Sequence, residues 1–268
     1  MNLLTRYGIL AQFGIPNGST VTPLNDKDIW LACAELSSGL SLASVLADGI
    51  LMTALSNSNN AVNYMVRSTG VIMTDVVASS NAMTKLDLSS YAVSEMFKNS
   101  TWYSAIVGSA TAVTVLDATA IKVPTMTSNT VPSGIAKAQL APLNLAYSVF
   151  DKTTTPYYSS VIQINNWIEY DFNSASRYVL YKYKLTGEVG GGFAYRITAF
   201  NISASNDGTT YTNLAVITGA SVYDTNTYQS LISAISSGYK IFRVTVTGKA
   251  GDDRVVVGEL ELWMKLIN

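Results

Sequence analysis

The chain has 268 residues, enough for one large domain or two ordinary ones with real cores. Only 13% are charged, 17 basic against 18 acidic, and there is no histidine. That excludes Ser-His-Asp and Cys-His catalysis, imidazole bases and His-ligated metals, and it leaves no electrostatic footprint for nucleic acid. The single Cys33 can form neither an internal disulfide nor a cysteine zinc site.

The opening Met1-Asn2-Leu3-Leu4-Thr5-Arg6 lacks the long apolar stretch of a secretory signal. Residues 49–66 and 99–116 are uncharged for 18 residues, the length of a membrane span. Asn57, Asn59, Asn60 and Asn63 interrupt the first, and Ser and Thr fill the second, so membrane insertion is not expected. The expectation is a protein made in a cytoplasm, soluble there or assembled into something larger.

Two unlike parts follow, residues 1–118 and 119–268. The first begins with a helix signal: Asn25 or Asp26 caps, and Ile29, Cys33 and Leu36 share one stripe before Gly39. Cys33 on that stripe reads as a small core residue. Then comes a repeat. Val45, Leu55, Met65, Val76, Leu86, Met96, Ile106 and Leu116 recur every ten or eleven residues. A second rung, Leu42, Met52, Val62, Met73, Met83, Val93, Tyr103 and Val113, runs three residues ahead.

On one continuous helix, ten residues turn through about 1000°, about 80° short of alignment, so the rungs would spiral around it. Breaking the chain at each Ser or Asn, where the side chain caps the next short helix, removes the mismatch. The pattern predicts a ladder of stacked helical turns, each stabilised by its neighbours. The methionines in it read as core rather than as a cofactor box. So lightly charged a ladder looks too thin to bury both faces within one chain. A homo-oligomer, a trimer by preference, is therefore expected.

Residues 124–134 carry Pro124, Pro132 and Gly134 among hydroxyl residues and read as an extended connector or first edge strand. Beyond it the period becomes two. Ile168, Tyr170 and Phe172 alternate with Glu169 and Asp171, and Val179, Tyr181 and Tyr183 with Leu180 and Lys182. Ile197, Ala199 and Asn201 alternate with Thr198, Phe200 and Ile202, and Ile241, Arg243 and Thr245 with Phe242, Val244 and Val246. Ser205-Asn206-Asp207-Gly208 supplies turn residues between two such strands. The fold class expected is α+β in separate domains: a short-helix repeat region, then an antiparallel β-sandwich of the jelly-roll kind.

Four motifs in these strands carry a resemblance. Phe150-Asp151-Lys152-Thr153-Thr154-Thr155-Pro156-Tyr157-Tyr158-Ser159-Ser160 is similar to the opening loop of coagulation factor 5/8 type C (discoidin-like) domains. Trp167-Ile168-Glu169-Tyr170-Asp171-Phe172 resembles their next strand, Ser205 to Tyr211 their hairpin, and Glu259-Leu260-Glu261-Leu262-Trp263 their last strand. The resemblance covers about half the chain. It implies a galactose-binding-like sandwich, a fold that usually binds glycans, lipids or proteins and is rarely catalytic. It also implies a structural calcium held by Asp151 and Glu259. Lys152 departs from the pattern, because a small or acidic residue is common there and a cation opposes a fully formed site.

The Ser-rich ladder, the Thr-Met-Thr-Ser-Asn-Thr connector and the sandwich together resemble tail-fibre and baseplate proteins of tailed bacteriophages. That implies a virion protein assembled in the host cytoplasm, with other virion structural proteins as partners and a host-surface glycan as ligand. A non-catalytic bacterial carbohydrate-binding protein is the alternative.

Glu169 and Asp171 share one strand face, but glycosidase chemistry needs carboxylates flanking a cleft, and a solvated face explains them. Gly190-Gly191-Gly192 lacks the Lys-Ser/Thr pair of a phosphate loop. A glycan face needs aromatic platforms beside planar donors. Tyr157, Tyr158, Tyr195, Arg196 and Arg254, with Asp252 and Asp253, fall in or beside expected loops and are the candidates for carbohydrate binding.

Overall fold

The computed structural model describes residues 42–67, 71–139, 143–153, 158–161, 164–187, 195–223, 227–232, 238–251 and 254–267. The expected helix over Asp26 to Leu36, with Cys33, lies outside them. The chain divides into two units: one runs to Thr119 and takes in Ile267, and the other is Ala120–Leu266.

In the first unit eight short helices are described: α1 Leu42–Ala47, α2 Gly49–Ser56, α3 Asn59–Arg67, α4 Val71–Ala78, α5 Ser80–Asp87, α6 Ser90–Lys98, α7 Ser100–Gly108 and α8 Ala110–Ala118. Each is six to nine residues long, too short to persist alone in water. None is long and apolar enough to cross a membrane. The breaks fall at Ser79, Ser89, Asn99 and Ser109, ten residues apart, all in extended backbone. Each of these side chains accepts a hydrogen bond from the next helix's first turn. Ser79 Oγ takes Ala82 N–H at 3.2 Å, and Asn99 Oδ1 takes Thr101 and Trp102 N–H at 3.1 and 3.2 Å.

The ladder is wound. Each helix packs on its successor and on the third helix along, as α2 does on α5 and α5 on α8. Because α1 also touches α5 and α4 also touches α8, one superhelical turn takes between three and four helices. The same cap residues bind the turn below: Asn99 Nδ2 donates to Val66 O at 3.2 Å, and Ser109 Oγ donates to Val77 O at 2.6 Å. Asn81 Nδ2 donates to Leu46 O at 2.7 Å. Every member of the first rung, Val45 to Leu116, is completely buried. Winding turns the rungs inward, so the premise that a partner must cover them does not hold. In the second rung Met52, Val62, Met83, Val93 and Tyr103 are buried, while Met73 and Val113 are half-exposed.

The second unit is an antiparallel sandwich. A five-stranded sheet has the order β2 (Ile135–Ala138), β4 (Asn166–Asp171), β9 (Ile241–Gly251), β6 (Tyr195–Ser205), β7 (Thr212–Val222). A four-stranded sheet has the order β1 (Ile121–Lys122), β11 (Glu259–Ile267), β5 (Arg177–Thr186), β8 (Thr227–Leu231). A two-stranded ribbon joins β10 (Arg254–Val257) to β3 (Tyr158–Val161). The expected fold class is the one observed. Ile168, Tyr170, Phe200, Ile202, Phe242 and Val244 from one sheet meet Leu180, Tyr183, Leu260, Leu262 and Met264 from the other. The connector is not extended throughout: Ser128 and Val131 bridge across a tight turn, and Thr127 N–H donates to Val131 O at 2.9 Å. Its Met126, and Val123 just before it, enter this core.

Simple alternation fails in β6. Ile197 and Phe200 both face the core, because register shifts between Ile197, Ala199 and Phe200 insert a bulge that exchanges the faces. The hairpin after Ser205 forms as expected. Asp207 Oδ1 accepts Thr210 and Thr209 N–H at 2.7 and 2.8 Å, and those bonds, with Ser205 Oγ, hold its carboxyl well below the usual range. Gly208 takes the positive φ, 75°, that the turn needs.

Candidate functional site

Three groups of residues in the β unit bear on function. The first is on the outer face of the five-stranded sheet. Cross-strand register puts Lys137, Glu169, Arg243 and Ser203 in one row over β2, β4, β9 and β6. Arg243 donates to Glu169 Oε2 from Nη2 at 2.8 Å and from Nε at 3.1 Å. Its guanidinium lies 3.9 Å from the Trp167 ring centroid and 3.7 Å from that of Tyr211, a cation held against two aromatic rings. Tyr211 OH donates to Glu169 Oε2 at 2.5 Å. Burial, then Glu169, push that phenol's pKa up. Lys137 Nζ stands 3.7 Å from both Glu169 and Asp171.

The solvated carboxylate face expected from the sequence is thus corrected: the Glu169 side chain is only 3% exposed and is tied up by three partners. The cluster fastens the hairpin ending at Tyr211 onto the sheet. Arg243 and Tyr211 were not among the sequence candidates. The available signal was an arginine, the one charged residue of the Ile241 to Val246 run, at an outward position.

The second group is the Asp151–Glu259 pair. The 3₁₀ helix Leu143–Phe150 ends at Asp151, whose Oδ1 accepts Thr153 N–H and Oγ–H at 2.8 and 2.7 Å. Lys152, at φ 61°, turns its N–H onto Glu259 Oε2 at 3.1 Å. Gly258 sets β11 in place: its N–H donates to Thr186 O at 2.8 Å, and a Cβ there would lie 2.2 Å from Gly187 O. Glu259 is nine-tenths buried and its Oε1 has no hydrogen-bond partner. Burial first, and the charge of Asp151 second, push its pKa up to about 8.

A buried, orphaned carboxylate oxygen facing a second acid fits a hard cation. Asp151 and Glu259 are the residues that would hold it, with hydroxyl or main-chain oxygens making up the shell. Among the described residues no three His, Cys, Asp or Glu side chains come together as a metal cluster.

The third group is the expected carbohydrate face. Tyr157, Asp252 and Asp253 lie outside the described residues. Tyr158, Tyr195 and Arg254 are placed by backbone only. Tyr195 pairs with Gly251 and Arg196 with Ala250. Arg254 opens β10, three residues after Gly251, opposite Val161. Tyr158 pairs with Val257, at the other end of the ribbon. The register therefore gathers Tyr195, Arg196 and Arg254 around the β9–β10 connection and sets Tyr158 apart from them. Arg196 is half-buried.

No family model matches the chain, and no curated protein matches it. Solved structures do. A family 89 glycoside hydrolase from Clostridium perfringens, in complex with PUGNAc, is 22% identical over 50% of this chain, with a TM-score of 0.41. This chain spans only 14% of that enzyme. CBM62 from Clostridium thermocellum Xyl5A is 15% identical over 51% of this chain and 97% of its own, at a TM-score of 0.41. The chitosan-binding module 1 of a chitosanase/glucanase from Paenibacillus sp. IK-5 is 21% identical over 51% and 98%, at 0.40. At these identities and TM-scores the likeness reaches no individual residue of the three groups.

Proposed function

We propose that the β unit is a non-catalytic glycan-binding module. The observation that carries this reading is the register that collects Tyr195, Arg196 and Arg254 around the β9–β10 connection, at one end of a rigid sandwich. A tyrosine offers a face to sugar C–H groups, and arginines offer planar donors to dense hydroxyls. Glu169, the buried strand carboxylate, is committed to Arg243 and Tyr211, which argues for binding without bond cleavage. A structural calcium at Asp151 and Glu259 belongs to the same proposal, as a brace for the loop before β3.

The test is retention of the full chain on immobilised polysaccharides, with Tyr195→Ala and Arg254→Ala alongside. Ten basic and ten acidic residues beyond position 140 make binding nearly insensitive to salt. Loss of retention at unchanged melting temperature supports the reading. Retention unaffected by both substitutions removes the site.

The finer reading is a bacteriophage virion protein that displays this module to a host-surface glycan or docks it on another virion protein. What supports it is the resemblance of a Ser-rich ladder joined through a connector to a sandwich. A homo-oligomer, a trimer in this proposal, would form through surfaces other than the buried rungs. Presence of the chain in purified particles tests it, and its absence there leaves the bacterial carbohydrate-binding protein.

A further inference from the structure

The outer face of the four-stranded sheet carries charges that the glycan reading does not use. Leu262 and Met264 enter the core, so Trp263 between them faces outward from β11. Tyr183 and Leu185 enter the core from β5, which turns Lys182 and Lys184 to the same outer face. β11 lies between β1 and β5, and Lys122 of β1 stands directly opposite Trp263. Two ammonium groups reach one indole from the strands on either side. Lys122 Nζ lies 4.8 Å from the ring centroid and Lys182 Nζ 4.7 Å. The ring attracts both cations, although the two repel each other. Glu261, two residues before Trp263 on this face, is taken by Lys184 at 3.0 Å. Lys265, two residues after it, adds a further positive charge and has contacts of its own. Lys122 is exposed and makes no ion pair among the described residues. Opposite Lys184 on β8, Gln229 is exposed and offers an amide.

We propose that this face, centred on Lys122, Trp263 and Lys182, is a second binding site, for an acidic polysaccharide whose carboxylate or sulfate groups bridge the two ammonium groups. An anion there relieves the repulsion between the lysines, and Gln229 addresses neighbouring sugar hydroxyls. Two lysines are too few for a nucleic-acid duplex, whose binders neutralise about six to ten phosphates. The large exposed apolar side chains, Ile50, Leu88, Val131, Ile164 and Val216, belong to none of these strands, so nothing here enters a lipid surface. Tyr195 and Arg196 stand on the other sheet. Unlike theirs, binding at this face is driven by charge and weakens with salt.

The experiment is retention of the full chain on immobilised polygalacturonate and on dextran sulfate over a series of salt concentrations. Wild type should be held on at least one of them at about 20 mM salt and released by about 200 mM, and the stronger matrix names the anionic group. Lys122→Met with Lys182→Met removes both charges, keeps the bulk and should weaken retention about tenfold at an unchanged melting temperature. Lys122→Arg with Lys182→Arg keeps both charges and should stay within about twofold of wild type. Lys85→Met with Lys98→Met, which takes two charges from the helical unit, should do the same. No retention on either matrix overturns the proposal. An equal loss in the Lys85 and Lys98 pair overturns it by tracing retention to net charge, and an equal loss in the arginine pair by tracing it to packing. A loss in Arg254→Ala with the methionine pair silent would move the anion to the β9–β10 connection. Equal retention on immobilised duplex DNA, lost in the methionine pair, would replace the polysaccharide by nucleic acid. Each of these outcomes leaves the salt-insensitive glycan test standing by itself.

Discussion

In the helical unit a residue's structural partners lie at fixed distances along the chain: the next rung ten residues on, and a cap contact 32 to 35 residues back. In the β unit Ile121 pairs with Met264, Lys137 with Glu169, and Ser203 with Arg243, at separations with no common period. The helical unit is a sum of similar neighbour contacts, so damage to one rung stays near that rung. The β unit has one core shared by both sheets, so damage anywhere spreads through it. The difference also governs polar groups. The ladder uses its half-buried cap side chains as repeated parts, whereas the cluster around Glu169 in the sandwich has no copy among the described residues.

The strongest way to break this comparison is to remove the unique part. Arg243→Ala leaves Glu169 buried on the sheet face with Lys137 as its remaining cation, and 39% of that lysine side chain is exposed. Deleting one partner of a buried pair costs about 3–5 kcal/mol. The expected outcome is a large fall in the melting temperature of the β unit, seen in near-ultraviolet dichroism. Adding Glu169→Gln to Arg243→Ala should restore part of the loss, because the stranded charge goes with it. A loss that is the same in single and double variants would show that stacking on Trp167 and Tyr211 matters more than the charge pair.

Next in size is Leu86→Ala. Leu86 is completely buried in α5, which packs against both α2 and α8. The substitution should cost about 2–5 kcal/mol, through lost burial plus the cavity left behind. Hydrogen exchange should quicken in α2, α5 and α8, while the protection of Phe242 and Val244 in β9 stays as it was. Equal acceleration in β9 would mean that the two units unfold as one, and the contrast drawn here would fail.

The ladder was legible in the sequence because its repeat is written locally: Ser79, Ser89, Asn99 and Ser109 mark the breaks from α4 to α8, and the rungs between them keep step. Its winding was not. No single repeat shows that Asn99 reaches Val66, since the number of helices per turn depends on packing angles between them. The strands were legible from their alternation, except in β5, where Leu180 and Tyr183 both reach the core, and at the bulge over Ile197 to Phe200, whose glycines, Gly219 and Gly248, stand on the partner strands rather than in β6. Of the candidate site, Asp151 and Glu259 do come together. The Arg243 cluster was missed because its side chains come from three strands and a hairpin with nothing local to link them.

A smaller effect is expected from pH. The carboxyl of Glu259 rises from its ordinary 4.5 to about 8 in the fold, from burial first and Asp151 second. The folded state thus holds this proton more tightly than the unfolded chain. Its contribution to stability is complete below about pH 4.5 and is lost as pH rises toward about 8. In calcium-free buffer, the β unit should become less stable over that window, and Glu259→Gln should flatten the slope. The helical unit supplies an internal control, since the pH response of Glu259 should not reach the exchange rates of α5. A slope unchanged in Glu259→Gln would assign the dependence to another group.

The smallest expected effect separates the two duties of a cap residue. At Ser79 one hydroxyl both accepts from Ala82 N–H and donates to Leu46 O at 3.4 Å, so no substitution removes one bond alone. Asn99 divides the work between two atoms: Oδ1 caps α7 and Nδ2 holds Val66 O of the turn below. Asn99→Asp keeps the cap, and its charge suits the positive end of the helix, but the donor to Val66 is gone. Asn99→Ala loses both. Asn99→Asp should therefore cost less than about 1 kcal/mol, and its hydrogen-exchange change should appear at the end of α3 rather than at the start of α7. Asn99→Ala should cost about 1–2 kcal/mol and loosen both places. If Asn99→Asp instead frays α7 and leaves α3 protected, the bond to Val66 does not hold the turns together. Winding would then come from the apolar rungs alone, and the repeated polar side chains would be caps and nothing more.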